Sequence, residues 1–227
     1  MASFELALQE HADGIELDAK LCADGHVVII HDQSVDRTTN GTGRVADLSL
    51  TELKRLDAGL KFNRSYSGET IPTLKEVLNR FSKRTFINVE LTNYASITDS
   101  LPERVAELVK LHSASGSVMY SSFNPIALRR IHRLMPEVPL GLLAFPGKKG
   151  AWARGSIGKW LVPYQALHPE LNDVNVNLVD RIHRDGHRVN VYTVDDPADM
   201  RYLFGIKVDG IFTDDPLLAR QVLTEFY

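Results

Sequence analysis

Residues Gly14–Asp32 read GIELDAKLCADGHVVIIHD, and this stretch sets how the rest of the chain is counted. Two extended pieces flank Asp24-Gly25, a pair that supplies the positive φ angles of a tight hairpin turn. A parallel return would need a crossover of a dozen or more residues, and the stretch has no room for one. Val27–His31 is therefore expected to fold back antiparallel on the continuation of the first strand, Gly14–Asp18. That return brings His31 beside Glu16 and Asp18.

Outside the hairpin, short apolar runs alternate with helical segments. Candidate strands are Gly14–Asp18, Phe86–Leu91, Ser117–Ser122, Leu140–Ala144, Gln165–His168, Arg188–Val194 and Asp209–Thr213. Ser49-Leu-Thr-Glu52, Thr73-Leu-Lys-Glu76 and Ser100-Leu-Pro-Glu103 have the capping-box pattern, in which hydroxyl and carboxylate satisfy free backbone N–H groups. Asn124-Pro125, Asp196-Pro197 and Asp215-Pro216 place a capping side chain before a proline suited to a first helical turn. This alternation implies a parallel sheet covered by helices. An open doubly wound sheet would carry a Gly-rich phosphate turn after an early strand, and the sequence has none. The count is seven parallel strands, whereas a (β/α)8 TIM barrel has eight and ~250 residues. The chain has 227 residues and opens in a helix around Phe4, Ala7 and Leu8. The expectation is a single α/β domain over residues 1–227, a TIM (β/α)8 barrel. Its first strand is absent and encoded upstream of Met1, and a small hairpin is inserted after the Glu-Leu-Asp strand.

Composition narrows the partners. Hydrophobic residues are 44%, charged residues 24% and net charge is −3, an ordinary globular balance. No basic tract points to nucleic acid. No apolar run approaches the ~20 residues of a membrane span. The N-terminal residues lack the cationic and apolar regions of a signal peptide. The one cysteine, Cys22, excludes an internal disulfide framework and fits a reducing compartment, so a cytoplasmic location is expected.

Glu16 and Asp18 lie two apart on a strand and share a face. Adjacent buried carboxylates repel and are costly unless paired. Two readings stay open: acidic decoration of an exposed edge, or a divalent-cation site. Glu90 favours the second, because it sits near the C-terminal end of an apolar strand, where functional side chains of such barrels gather. Its alternative is a core glutamate paired with a basic residue. Three carboxylates without a Cys or His cluster suit Mg²⁺ or Ca²⁺. A histidine returned to the carboxylates, His31, can act as acid or base near neutral pH. His168 also ends a strand and is a candidate lining residue of the pocket.

These residues fall into a familiar order. Ala12-Asp-Gly-Ile-Glu-Leu-Asp18, Val28-Ile-Ile-His-Asp32 and Asp36-Arg-Thr-Thr-Asn-Gly-Thr-Gly43 resemble the glycerophosphodiester phosphodiesterase family. So do Asn88-Val-Glu90, Ser121-Ser-Phe-Asn124, Leu167-His-Pro169, Gly186–Val194 and Val208–Pro216. The resemblance covers essentially the whole chain. It implies a phospholipase C-like phosphodiesterase barrel, a divalent metal held by Glu16, Asp18 and Glu90, and His31 as one of two catalytic histidines. The implied reaction splits a glycerophosphodiester into glycerol 3-phosphate and an alcohol. Tyr192 stands where many members have tryptophan, as an aromatic wall for the glycerol. The family's opening His-Arg-Gly strand and Pro-Glu-Asn-Thr loop have no counterpart here. Thr92 stands where members often carry lysine.

Two alternatives accompany this reading. One is a metal- and phosphate-binding barrel that hardly turns over, for want of the other histidine. The other is a lysophospholipase D-like enzyme with an apolar rim built by Trp152, Ile157, Trp160 and Leu161. The same four residues can instead pack against the barrel.

Overall fold

On the strands Gly14–Leu21 and Phe86–Leu91 apolar residues alternate with polar ones, so that one face meets helices and the other the interior, whereas the central strands are largely apolar runs buried on both faces. The computed structural model describes residues 1–94 and 96–226. Its strands are β1 (Gly14–Leu21), β2 (Val27–Ile29), β3 (Phe86–Leu91), β4 (Val118–Ser122), β5 (Leu140–Ala144), β6 (Ala166–Pro169), β7 (Arg188–Val191) and β8 (Gly210–Ile211). They form one curled sheet in the order β2-β1-β3-β4-β5-β6-β7-β8. Every neighbouring pair is parallel except β1 and β2, which are antiparallel. Among the described residues, no pairing joins β8 to β1.

The helices are α1 (Ala2–Gln9), α2 (Leu50–Lys54), α3 (Leu74–Phe81), α4 (Leu101–Leu111), α5 (Pro125–Leu134), α6 (Ala151–Arg154), α7 (Ser156–Leu161), α8 (Val176–Arg184), α9 (Pro197–Gly205) and α10 (Pro216–Leu223). Capping boxes start α2 at Ser49 and α3 at Thr73 as expected. The third differs. Ser100 makes no side-chain cap at α4, and Asp99 Oδ1 accepts from Leu101 N at 3.0 Å instead. The carboxylate one residue earlier is the stronger acceptor for a free N–H.

The hairpin turns at Gly25, with φ +78°, and pairs Ala19 with Ile29 and Leu21 with Val27. It splits its apolar residues between two cores. Val27 and Ile29 join the main core between sheet and helices, with Leu17, Val89, Leu91 and Leu78. Val28 and Ile30 point the other way. With Cys22, Val35, Val45, Leu53 and Ile71 they form a second, smaller core beneath residues 33–72. A separate core lets this insertion hold a fixed shape outside the barrel wall.

Several strand ends differ from the sequence expectation. β1 runs three residues further, because β2 supplies partners for Ala19–Leu21. β7 and β8 stop short, at Val191 and Ile211, although Val194 N still donates to Phe212 O at 2.9 Å. Here the chain leaves the ladder to turn over the mouth of the sheet.

Candidate active site

Alternation on β1 and β3 aims the carboxylates. Ile15, Leu17, Val89 and Leu91 are buried against the helices, so Glu16, Asp18 and Glu90 face the interior. The parallel register sets Asp18 opposite Glu90 and Glu16 opposite Asn88. Glu16, Asp18 and Glu90 each offer an oxygen within 4.8 Å of the others, the one such trio of metal-ligating side chains among the described residues. Oε1 of Glu16 is buried with no hydrogen-bond partner. A buried, unpartnered carboxylate oxygen facing two further carboxylates is a poor arrangement without a cation, and hard oxygen donors fit a divalent ion.

Electrostatics agree. Burial, then the charges of Asp18 and Glu90, holds the Glu16 carboxyl well above its usual range. Burial also raises Asp18, against the opposing pull of Lys20 and His31. Burial and Asp18 push Glu90 up to about 7. In each case burial is the main cause, and for Glu16 and Glu90 the neighbouring carboxylates add to it.

His31 lies on the hairpin's return. Ile30 N donates to Asp18 O at 3.1 Å, which places the next residue at the rim of the trio. The imidazole is exposed, and its Nδ1 meets Asp32 Oδ1 at 2.8 Å. Arg37 grips the same carboxylate at 2.6 and 2.9 Å and, with His31, holds Asp32 far below the usual carboxylate range. A carboxylate on Nδ1 selects the tautomer with the proton there, which leaves Nε2 open to take or give a proton.

Tyr192 is half-buried and donates its hydroxyl to Ala144 O at 2.7 Å, which ties the end of β7 to the end of β5. Its ring meets Phe123 edge-on at 5.9 Å; Phe123 stacks on Phe145 at 4.1 Å and touches Tyr94 at 6.0 Å. These rings wall the mouth beside Glu90. His168 lies deeper. It is fully buried, packed on Phe212 and against Gly141, with Asn190 Nδ2 3.1 Å from its Nε2. Burial pushes its pKa down to about 3, so the ring is neutral.

Residues 1–218 match the glycerophosphoryl diester phosphodiesterase family. The chain belongs to that family. A glycerophosphodiester phosphodiesterase of Caldanaerobacter subterraneus subsp. tengcongensis is 38% identical over 217 residues, 95% of this chain and 88% of the relative. One from Bacillus altitudinis is 34% identical over 229 residues, 99% of this chain and 92% of the relative. Among solved structures, a phosphodiesterase from Oleispira antarctica in complex with the product sn-glycerol-3-phosphate superposes with TM-score 0.88 at 30% identity. The match covers 98% of this chain and 90% of that one. A glycerophosphodiester phosphodiesterase from Agrobacterium tumefaciens gives TM-score 0.81 at 28% identity, covering 96% and 90% of the two chains. The expected barrel class of the glycerophosphoryl diester phosphodiesterase family is thus the fold of this chain.

Two side chains at the site escaped the sequence reading. Tyr94 donates its hydroxyl to Glu90 Oε1 at 2.5 Å, from a loop position that no strand periodicity announces. Lys20 shares the inner face with Glu16 and Asp18, a placement the same two-residue alternation could have flagged. The apolar-rim expectation does not match the layout. Trp152 and Leu161 pack on the main core. Ile157 and Trp160 are exposed on α7, whose Lys159 pairs with Asp185 in the turn leading into β7, at the end of the sheet opposite the carboxylates. No helix among the described residues is long and apolar enough to cross a membrane.

Proposed function

We propose that this chain hydrolyses glycerophosphodiesters to glycerol 3-phosphate and an alcohol, using one Mg²⁺ or Ca²⁺ held by Glu16, Asp18 and Glu90. The observation that carries the reading is the convergence of those carboxylates, one oxygen buried and unpartnered, beside a histidine with an open Nε2. When bound, the cation supplies charge neutralisation at a non-bridging phosphoryl oxygen. The protein's own part is positioning and proton transfer. Tyr94 fixes one oxygen of Glu90. His31 Nε2 exchanges a proton with the attacking or departing oxygen as the P–O bond to the alcohol breaks and a new P–O bond forms. Asp32 keeps that ring in register and stabilises it when charged. The attacking oxygen comes from water or from the glycerol's own hydroxyl. The aromatic wall of Phe123 and Tyr192 gives the glycerol carbons an apolar surface. His168, a buried neutral ring on Phe212, lines the interior with them. A cytoplasmic setting belongs to this reading, supported by the lone buried thiol of Cys22. So does a single domain over residues 1–227 that one more strand between β8 and β1 would close into a full barrel.

The test is choline release from glycerophosphocholine by the full chain with Mg²⁺ or Ca²⁺. Turnover that stops with chelator and falls at least ~10²-fold in Glu16→Gln, Asp18→Asn and His31→Ala is expected. His31→Ala should keep its affinity for the ion. Turnover indifferent to chelator or to these substitutions would overturn the proposal. A second reading, binding of ion and phosphate with turnover lowered by ~10²–10⁴, is favoured by His31 being the one histidine facing Asp18 and Glu90 among the described residues. Ion-dependent binding of glycerol 3-phosphate without choline release would select it.

A further inference from the structure

Lys20 is a cation in an unusual place. Its side chain is buried, about 5% exposed, on the inner face of β1 two residues beyond Asp18. Nζ donates to Thr92 Oγ1 at 2.6 Å, and Thr92 Oγ1 in turn donates to Ala19 O at 2.8 Å. Thr92 N also reaches Ala19 O at 3.3 Å, which carries the β1–β3 register one step past Ala19–Leu91. Lys20 and Thr92 are therefore opposite each other, directly beyond Asp18 and Glu90 towards the open end. An ammonium has three donors, and one of these is engaged by the described residues.

Charge balance gives the other donors a purpose. Three carboxylates against one dication leave a surplus negative charge. A phosphodiester is itself an anion, and its entry would stack like charges at short range. The fixed positive charge of Lys20 cancels the surplus. The nearby Arg37 does not, since it is spent on Asp32. A lysine serving packing alone would carry its ammonium to water, as long cationic side chains ordinarily do; this one is held inward by a hydroxyl.

We propose that Lys20 is the phosphate-binding cation of this site, delivered from β1, seated on Thr92 of β3, and donating to a non-bridging oxygen of the ion-bound phosphodiester. The proposal rests on the ion site of the previous section. It has a direct corollary. Because residues 20 and 92 face each other across the register, the charge can be exchanged between strands.

The experiment is calorimetric titration of the full chain with Ca²⁺, or with Mg²⁺ where Ca²⁺ does not bind, and then with glycerol 3-phosphate in the saturating ion. The proteins are the unmodified chain, Lys20→Gln, and Lys20→Gln combined with Thr92→Lys. Lys20→Gln is expected to bind Ca²⁺ at least as tightly, having lost a repelling charge, and to bind glycerol 3-phosphate ~10–100-fold more weakly, as for loss of one charge-assisted hydrogen bond. The exchanged pair should recover to within about threefold of the unmodified chain, which a merely structural lysine would not produce. Thermal melts check folding, and Lys20→Met replaces a Gln variant that fails to melt cooperatively. Unchanged glycerol 3-phosphate affinity in a folded Lys20 variant, or no recovery in a folded exchanged pair, overturns this inference alone. An unmodified chain that binds neither Ca²⁺ nor Mg²⁺ overturns the ion site and this inference together.

Discussion

The centre of the sheet and its two flanks belong to one run of strands and end in different states of burial. Strands β4, β5 and β6 are buried along their whole length, with paired strands on both sides. At the flank, both residues of β8 are only half-buried, and Val208, Phe212, Leu218 and Ala219 around it are no better covered. β1 keeps alternate residues buried because β3 and the helices cover one face. Side-chain pattern chooses which way a residue points; a neighbouring strand decides how much water it loses. The chemistry sits at the less finished end of this contrast, on β1 and its immediate neighbour β3.

The sharpest way to break that contrast is to cut the same amount of side chain from both regions. Leu142→Ala, in fully buried β5, is expected to cost about 2–5 kcal/mol in urea unfolding. Ile211→Ala in half-buried β8 is expected to cost roughly 1 kcal/mol. Equal losses would show that the flank is as well packed as the centre.

Ion binding should act on the flank selectively. Saturating Mg²⁺ or Ca²⁺ at ~100 times its Kd adds about 2.7 kcal/mol of stability. Hydrogen exchange should slow in Gly14–Leu21 and Phe86–Leu91 and stay unchanged in Leu140–Ala144. Uniform slowing, or none, would detach the carboxylates from the ion.

Acid should act through His168. The neutral His168 has a folded pKa of about 3 against 6.5 in the unfolded chain. Below pH 6.5 the unfolded chain takes up the proton and the folded chain does not, so stability falls as pH drops from 6.5 towards 3. The loss is ~1.4 kcal/mol per pH unit, about 2 kcal/mol by pH 5. Denaturant midpoints at pH 7 and 5 measure it, and His168→Gln should remove this component. A wild-type slope retained in that variant would mean other groups carry it.

The smallest effect is expected at Trp160, about 83% exposed on α7. Trp160→Ala should change stability by less than about 0.5 kcal/mol and leave turnover on soluble substrates alone. A large loss on either measure would mean that this exposed ring has an unrecognised contact.

Much of this was legible in the sequence because it depends on local rules. The hairpin follows from Asp24-Gly25, the shared face of Glu16 and Asp18 from a period of two, and five of six anticipated helix starts from a capping residue in its proper place. Register was not legible, and register is what seats Lys20 on Thr92 and Asp18 beside Glu90. Tyr94 was hidden for a related reason: its hydroxyl reaches back to Glu90 through a loop whose path depends on tertiary packing. His168 ends a strand, which is all the sequence shows of it; its packing on Phe212, beside Asn190 and over Gly141, depends on three other strands or loops. A Cβ on Gly141 would stand 2.3 Å from that ring.

The second small core beneath residues 33–72 has a consequence for how the enzyme can vary. It anchors the outer face of the hairpin that ends at His31, while the carboxylates are anchored by the main core. The imidazole of His31 and the carboxylate trio are thus mounted on separate footings. A methyl removed from Val45 or Leu53 would loosen the aim of the imidazole and leave the arrangement of Glu16, Asp18 and Glu90 nearly intact, so drift in this segment can shift one without shifting the other.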